Sequence, residues 1–434
     1  MAEYDVIVVG AGPAGSAAAY TLARNGLSVA LLEKGAQPGS KNMFGGSIYR
    51  RSTEEVFPGF WQNAPLERTI VKEQLWLMDT DSAVQVGFSG LRFGQPPYNS
   101  FSVSRAKFDQ WLADEAVKAG ATLFTNTLVT DILFEKKLLG RGKARGVVLE
   151  NKEQITSDAV IIAEGVSAVL TKKVGLRSKL PPHTMTLYVR EVLELDSNTI
   201  EERFNLDKGQ GATYGMFGWP LAGAVGKTGI WTLKNSLSFV TGGYLDQLIK
   251  KNLSPYVLLE RAKEHPLIKK LLAGSKRIEY QAHMIPKGGY TFVPNLYDDG
   301  LLIAGDSALM VSGRRGTDLA MLTGKYAAET VVQARAKEDF SAPVLSAYQR
   351  RLNASFFMKD IKSSKNVVNY YKKYPDADFL VTKTLNDAFY QMFTVGMQTE
   401  KEKRKQITSE MFSRQSPLKT FDDVIAGLQY WGVF

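Results

Sequence analysis

The chain has 434 residues, 44% of them hydrophobic and 23% charged, enough for two or three domains around sizeable cores and too apolar for a disordered chain. Cysteine is absent, which excludes disulfides, thiolate zinc sites, a dithiol redox pair and any cysteine-ligated iron–sulfur cluster within the chain. The net charge of +10 suits an anionic membrane surface or an acidic protein partner; no RNA- or DNA-binding motif accompanies it, so no nucleic acid is expected.

The three histidines, His183, His265 and His283, have no metal-ligand spacing, and no metal site is expected. No stretch reaches the roughly 18 apolar residues of a membrane-spanning helix, and the N-terminus lacks a signal-peptide pattern. The lack of cysteine suits a reducing cytoplasm. The expectation is a cytoplasmic protein, soluble or peripherally attached to the cytoplasmic membrane.

The chain opens on Tyr4-Asp5-Val6-Ile7-Val8-Val9, an apolar, β-branched run that predicts a strand buried on both faces of a parallel sheet. Gly10-Ala11-Gly12-Pro13-Ala14-Gly15 follows at once. An alanine-rich helix is predicted over Ser16–Asn25, closed by Gly26, and then a strand over Ser28–Leu32 that delivers Glu33 and Lys34. Gly10 makes the tight turn, Gly12 lets backbone approach a pyrophosphate, and Gly15 lets helix and strand pack closely. The helix start offers free N–H groups and a positive dipole end to the phosphates, while Glu33 can accept from an adenosine ribose. Strand, glycine turn, helix and acid in this order predict a dinucleotide site.

Ser104 to Leu112 begins an amphipathic helix through Ala119, closed by Gly120, with Arg105 at its start. Asp158–Ile162 predicts a second buried strand that ends in a turn at Ala163, Glu164 and Gly165 and returns a distant part of the chain to the same sheet. Helices are predicted around Tyr244–Asn252 and Tyr256–Lys263. Leu301–Ala304 predicts a third returning strand, ending at Gly305 and Asp306. Gly313-Arg314-Arg315-Gly316-Thr317-Asp318 leads into a helix over Leu319–Ala336, whose uncapped N–H groups near Gly316 and Thr317 would favour negative charge on a bound cofactor. Val129, Lys34, Ala163 and Asp318 complete the candidate cofactor contacts. No second strand-GxGxxG-helix unit is present to hold a nicotinamide.

The Gly305-Asp306 pair resembles the element with which two-domain FAD enzymes of the glutathione-reductase and p-hydroxybenzoate-hydroxylase type hold the ribityl chain, which implies that Asp306 accepts from its hydroxyls. Arg105 resembles the arginine that lies over the cofactor in related flavoproteins. Lys41-Asn42-Met43-Phe44-Gly45-Gly46 resembles a segment beneath the flavin, and Leu233 to Ser238 a strand of the second domain. Glu279-Tyr280-Gln281-Ala282-His283-Met284-Ile285-Pro286-Lys287-Gly288-Gly289-Tyr290 is similar to the Glu-Tyr-x-Ala-His-x-Ile-Pro-x-Gly-Gly-Tyr run of FixC-type electron-transfer-flavoprotein:quinone oxidoreductases. The order of elements resembles that family along nearly the whole chain.

The resemblance implies an α/β, glutathione-reductase-type two-domain FAD fold: a Rossmann-like parallel sheet over about residues 1–75, 102–178 and 284–350, and a mainly antiparallel second domain over 76–101 and 179–283 that covers the flavin and admits a quinone. A helical, basic region, 351–434, would dock a partner or an anionic membrane surface. The implied cofactor is FAD, the donor an electron-transfer flavoprotein and the acceptor a membrane quinone. A separate small ferredoxin-like subunit would supply the iron–sulfur cluster that this cysteine-free chain cannot hold. Tyr280 and His283 are the candidates for hydrogen bonding or proton supply at a quinone oxygen. Two positions depart from the family's pattern: Lys287 stands where an acidic residue is expected, and Gly226–Thr232 is less glycine-rich.

Three alternatives share these elements. One is a geranylgeranyl-reductase-like isoprenoid reductase, whose substrate motif Tyr214–Pro220 loosely resembles. Another is an aromatic-ring monooxygenase, in which Asp-Gly usually stands where this chain has Glu164-Gly165. The third is a flavin relay subunit of a larger complex that meets no small substrate alone.

Overall fold

The structure, a computed structural model, describes residues 2–40, 46–137, 141–363 and 366–431. It is a mixed α/β protein with two compact units.

The first unit comprises Met1–Leu66, Asn99–Pro181 and Ile285–Lys365. Its centre is a run of five parallel strands in the order Leu301–Ile303, Gln154–Ile162, Tyr4–Val9, Val29–Leu32 and Thr122–Phe124. Val6–Val9, Val29–Leu32, Ala159–Ile162 and Leu301–Ile303 are all buried, as expected for parallel strands covered on both faces. The Gln154 strand is longer than the Asp158–Ile162 run predicted for it. Its first residues pair antiparallel with Ala144–Leu149 before the chain joins the parallel sheet, and they are too polar for the buried-strand signal.

Helix Pro13–Arg24 starts three residues earlier than its apolar pattern suggests, because proline at the first helical position needs no N–H partner and is already set near the helical φ. This helix packs closely on helix Thr317–Ala336: a Cβ at Gly324 would come within 2.0 Å of the Ala14 carbonyl oxygen. Helix Arg105–Lys118 packs beside the Pro13 helix, with Phe108, Leu112 and Ala116 inward.

The second unit comprises Glu67–Tyr98, Pro182–Met284 and Asn366–Phe434. Strands Met185–Glu194, Ser236–Tyr244, Gly226–Thr232 and Gln210–Gly218 form an antiparallel sheet. Leu66–Met78 joins it parallel to Gln210–Gly218 and forms a hairpin with Ala83–Ser89, while Lys276–Pro286 lies at the opposite edge, beside Met185–Glu194. One face buries Trp76, Phe204, Tyr214, Met216, Ile230, Phe239, Leu259 and Ile268.

Arg68 staples this unit from inside. Only 3% exposed, it gives hydrogen bonds to Leu233 O (2.6 Å), Gln210 O (2.9 Å), Lys234 O (2.9 Å) and Ser197 Oγ (2.7 Å), and pairs with Glu201 at 2.7 Å. A buried guanidinium is tolerated when its fork of donors is matched in this way.

The basic C-terminal region divides between the units near residue 366. Val367, Tyr371, Ala377 and Ala426 share a core with Val225 and Tyr244, and the Asn386 amide donates to Leu77 O at 2.8 Å. Helices Val367–Lys373, Ala377–Phe393 and Pro417–Trp431 thus share cores with the second unit's sheet through a few residues each, whereas helix Glu400–Met411 buries none of its residues.

Candidate functional site

The carboxyl ends of the parallel strands converge on one cleft of the first unit. Gly10, directly after Val9, has φ +100, and a Cβ there would lie 2.5 Å from Ala163 O. Glycine is required both for the left-handed backbone and for the close approach of the neighbouring strand. A Cβ at Gly15 would lie 1.8 Å from Gly10 O, so helix and turn touch through it. Gly12 differs: a Cβ there would meet nothing within 4 Å. It opens the Pro13 helix with no side-chain cap, leaving main-chain donors and a positive dipole end before open space.

Glu33 holds this turn to the second strand. Its carboxylate accepts from Ala11 N at 3.0 Å and from Gly35 N at 2.7 Å. An ionised carboxylate has about four acceptor positions, so the group retains capacity for a hydroxyl. Lys34 beside it is exposed, and Val129 is buried at the start of its strand.

Ala163, Glu164 and Gly165 follow the Gln154 strand. Glu164 has a structural duty that its sequence neighbours did not announce: it caps the short helix Val169–Lys173, accepting from Leu170 N (3.0 Å), Thr171 N (2.7 Å) and Thr171 Oγ1 (2.8 Å). Gly165 has φ +77, and its carbonyl accepts from Ser307 Oγ at 3.1 Å.

Asp306 is the charged centre of the cleft. Gly305, at φ +69, turns the chain after Leu301–Ile303 and is fixed by Thr323 Oγ1 at 3.0 Å. Burial holds the Asp306 carboxyl above its ordinary value, and the positive charges of Arg105, Arg177 and Lys287 offset this only in part. Arg177, 6% exposed, donates to the carbonyls of Asp306 (3.0 Å) and Ser307 (3.2 Å); burial lowers its pKa against the pull of Asp306 and Glu164. Arg105 forks onto Asp109 and reaches Thr317 Oγ1 at 2.8 Å. Burial works against its charge, but Asp109 more than offsets this and holds the guanidinium above its ordinary value.

The Thr317–Ala336 helix starts at Gly316 without a side-chain cap, so its first main-chain donors are free of side-chain competition. Asp318, 2% exposed, is engaged by Arg315 at 2.6 Å, and Arg315 also donates to Ser52 Oγ at 2.6 Å. Gly46 begins the strand Gly46–Tyr49, paired with Ser100–Val103. Asn42, Met43 and Gly45 lie outside the described residues. Arg177, Asp109 and Arg315 were not anticipated as parts of the site.

Tyr280 and His283 lie in the second unit, on the edge strand Lys276–Pro286. Side chains alternate along a strand, so residues three apart project to opposite faces, and the burial pattern alternates accordingly. Tyr280 and His283 thus project to opposite faces of the strand. Tyr280 is exposed and meets Tyr256 edge-on at 5.9 Å; burial, then Glu191, raises its pKa. His283 is partly covered.

The cleft fits FAD on its own chemistry. It has an uncapped helix start with open space at Gly12 for a pyrophosphate, a carboxylate with spare acceptors for a ribose, and a desolvated Asp306 ringed by cations.

Residues 5–170 match the family described as FAD dependent oxidoreductase, 187–285 the one described as ETF-QO, ubiquinone-binding, and 364–432 the ETF-QO/FixC family C-terminal domain. Protein FixC of Azotobacter vinelandii is 39% identical over 420 residues, spanning 96% of each chain. The chain belongs to the ETF-QO/FixC family. It is an FAD-dependent oxidoreductase. The probable electron transfer flavoprotein-quinone oxidoreductase YdiS of Escherichia coli (strain K12) is 34% identical over 93% of this chain and 94% of its own. A geranylgeranyl bacteriochlorophyll reductase-like structure from Thermoplasma acidophilum superposes with a TM-score of 0.69 over 99% of this chain and 96% of its own, at 18% identity; that likeness is one of fold.

Proposed function

We propose that this FixC-family protein takes electrons from an electron-transfer flavoprotein onto FAD and passes them to a membrane quinone, within a complex that includes a separate ferredoxin-like subunit. The observation that carries this reading is the joint match of one chain to an FAD oxidoreductase family and to a ubiquinone-binding one. FAD, when bound, supplies the chemistry of accepting an electron pair and releasing it singly or together.

The chain's own groups hold and bias that cofactor. The Gly12 helix start takes the pyrophosphate, Glu33 and Asp306 accept from sugar and ribityl hydroxyls, and Arg105 is the candidate cation over the cofactor. Lys34, Val129, Ala163, Glu164 and Gly165 shape the adenine side, and Gly316, Thr317 and Asp318 the start of the second helix. In the second unit His283 is the candidate proton donor to a quinone oxygen, with Tyr280 on the outer face of the same strand.

Support for a membrane surface comes from the second unit's C-terminal helices. Tyr390, Phe393, Val395 and Met397 are largely exposed, and the basic Lys401, Lys403, Arg404 and Lys405 follow on helix Glu400–Met411. Apolar tips beside cations suit the headgroup region of an anionic bilayer. Among the described residues no helix is long and apolar enough to cross a membrane, so attachment would be peripheral, on the cytoplasmic side. With no cysteine in the chain, any cysteine-ligated cluster in the electron path belongs to another subunit.

The test is anaerobic mixing of the FAD-loaded protein with a reduced electron-transfer flavoprotein, followed by a ubiquinone analogue. Bleaching and then recovery of the flavin absorbance is expected. Bleaching by NADPH but not by the flavoprotein would instead favour the monooxygenase reading.

A further inference from the structure

Lys287, in the first unit, directly follows the strand Lys276–Pro286. Its Nζ donates to the Gly313 carbonyl at 2.6 Å, within the turn closed by the Ser312–Arg315 bridge, immediately before the uncapped start of the Thr317 helix. An ammonium has three donors, and among the described residues this is the one bond that Lys287 makes. The residue is partly accessible in the open cleft while packed deeply enough for burial to matter. No carboxylate lies within ion-pair distance of it among the described residues; Asp306 acts on it from further away.

We propose that Lys287 is a positioning residue that biases the cleft toward the electron-loaded cofactor: it ties the 312–315 turn, and with it the start of the Thr317 helix, to the residues that end the Lys276–Pro286 strand, and adds a positive charge with no carboxylate at ion-pair distance among the described residues. This rests on the reading that FAD occupies the cleft. Reduction adds negative charge to a flavin, and a nearby ammonium in a poorly hydrated site stabilises that charge far more than the same group in water.

The groups that face Lys287 electrostatically are Asp306 from the Leu301 strand's turn and, through Asp306, Arg105 and Arg177. Arg314 and Arg315 follow Gly313 in the turn itself, with Arg315 committed to Asp318. Burial brings the Lys287 pKa down to about 8, with Asp306 opposing. The positive charge is therefore present at neutral pH and lost as pH rises through that value. Additional negative charge beside it would draw the proton back.

The experiment is a reductive titration of FAD-loaded full-length protein against a redox dye, for wild type, Lys287→Met, Lys287→Gln and Lys287→Arg, from about pH 6 to pH 9. Lys287→Met and Lys287→Gln should each lower the preference for reduced over oxidised flavin about tenfold, ~30 mV for a two-electron couple. Lys287→Arg should keep most of it. The difference between wild type and Lys287→Met should shrink above about pH 8, as the wild type loses its proton. Flavin-loaded Met and Gln variants that titrate at the wild-type midpoint throughout would overturn the assignment. A wild type that takes up no FAD would overturn the reading of the cleft, and this inference with it.

Discussion

Arg105 clamps Asp109 through both carboxylate oxygens, Nε to Oδ1 at 2.6 Å and Nη2 to Oδ2 at 2.9 Å, inside one turn of the same helix. Asp109 is fully buried, so the pair orients the arginine and directs its Nη1 to Thr317 Oγ1. Arg105→Met removes the bidentate partner of a buried carboxylate and should cost about 3 kcal/mol of stability, as read by urea unfolding. Asp109→Asn, which keeps a polar partner, should cost less while weakening FAD affinity through a misplaced guanidinium. If Arg105→Met unfolds at the wild-type midpoint, the clamp is not structural.

Gly12 and Gly15 make a contrast within one motif. Gly12→Ala adds a methyl group to open space, whereas Gly15→Ala drives one into Gly10 O. Gly12→Ala should fold with near-wild-type stability yet bind FAD at least about tenfold more weakly, ~1.4 kcal/mol. Gly15→Ala should lose the fold of the first unit. Thermal melts and FAD titration of both variants check this.

Glu201 ties Arg68 within the second unit. The Gly209 N–H, then Arg68, hold the Glu201 carboxyl below its ordinary value. A depressed carboxylate contributes stability above its unfolded pKa and loses it as pH falls through the folded one. The wild type should therefore lose stability below about pH 4.5 more steeply than Glu201→Gln, which starts lower and falls less. Parallel slopes in denaturation series across that range would contradict the linkage.

His283→Ala should slow reduction of a quinone analogue by about a hundredfold, the low end of general acid–base contributions, while electron entry into FAD keeps its rate. Rapid-mixing kinetics separate the two steps. Tyr280→Phe, on the opposite strand face, should leave quinone reduction within about twofold.

The cofactor cleft was legible wherever its chemistry is local. Tyr4–Val9, the glycine turn and Glu33 lie within a single βαβ unit, where spacing and residue type carry the whole argument. Gly305-Asp306 and Gly316-Thr317 were legible as turn and helix starts. Arg177 was not, because it reaches the Asp306 carbonyl across 129 residues of sequence and nothing in its own neighbourhood marks it. Glu164 was read as a cofactor contact without the cap it supplies to the next helix, a contact that appears only once residues 164–171 fold. Tyr280 and His283 stand in one family-like run, but the strand period puts them on opposite faces, which the run alone does not show.

The most direct test of the account is the FAD content of the purified protein, by visible spectrum and released-flavin assay, in wild type and Gly12→Ala. One FAD per wild-type chain, with a folded but flavin-depleted variant, is the expected result. Folded wild-type protein that stays colourless after incubation with FAD would contradict it.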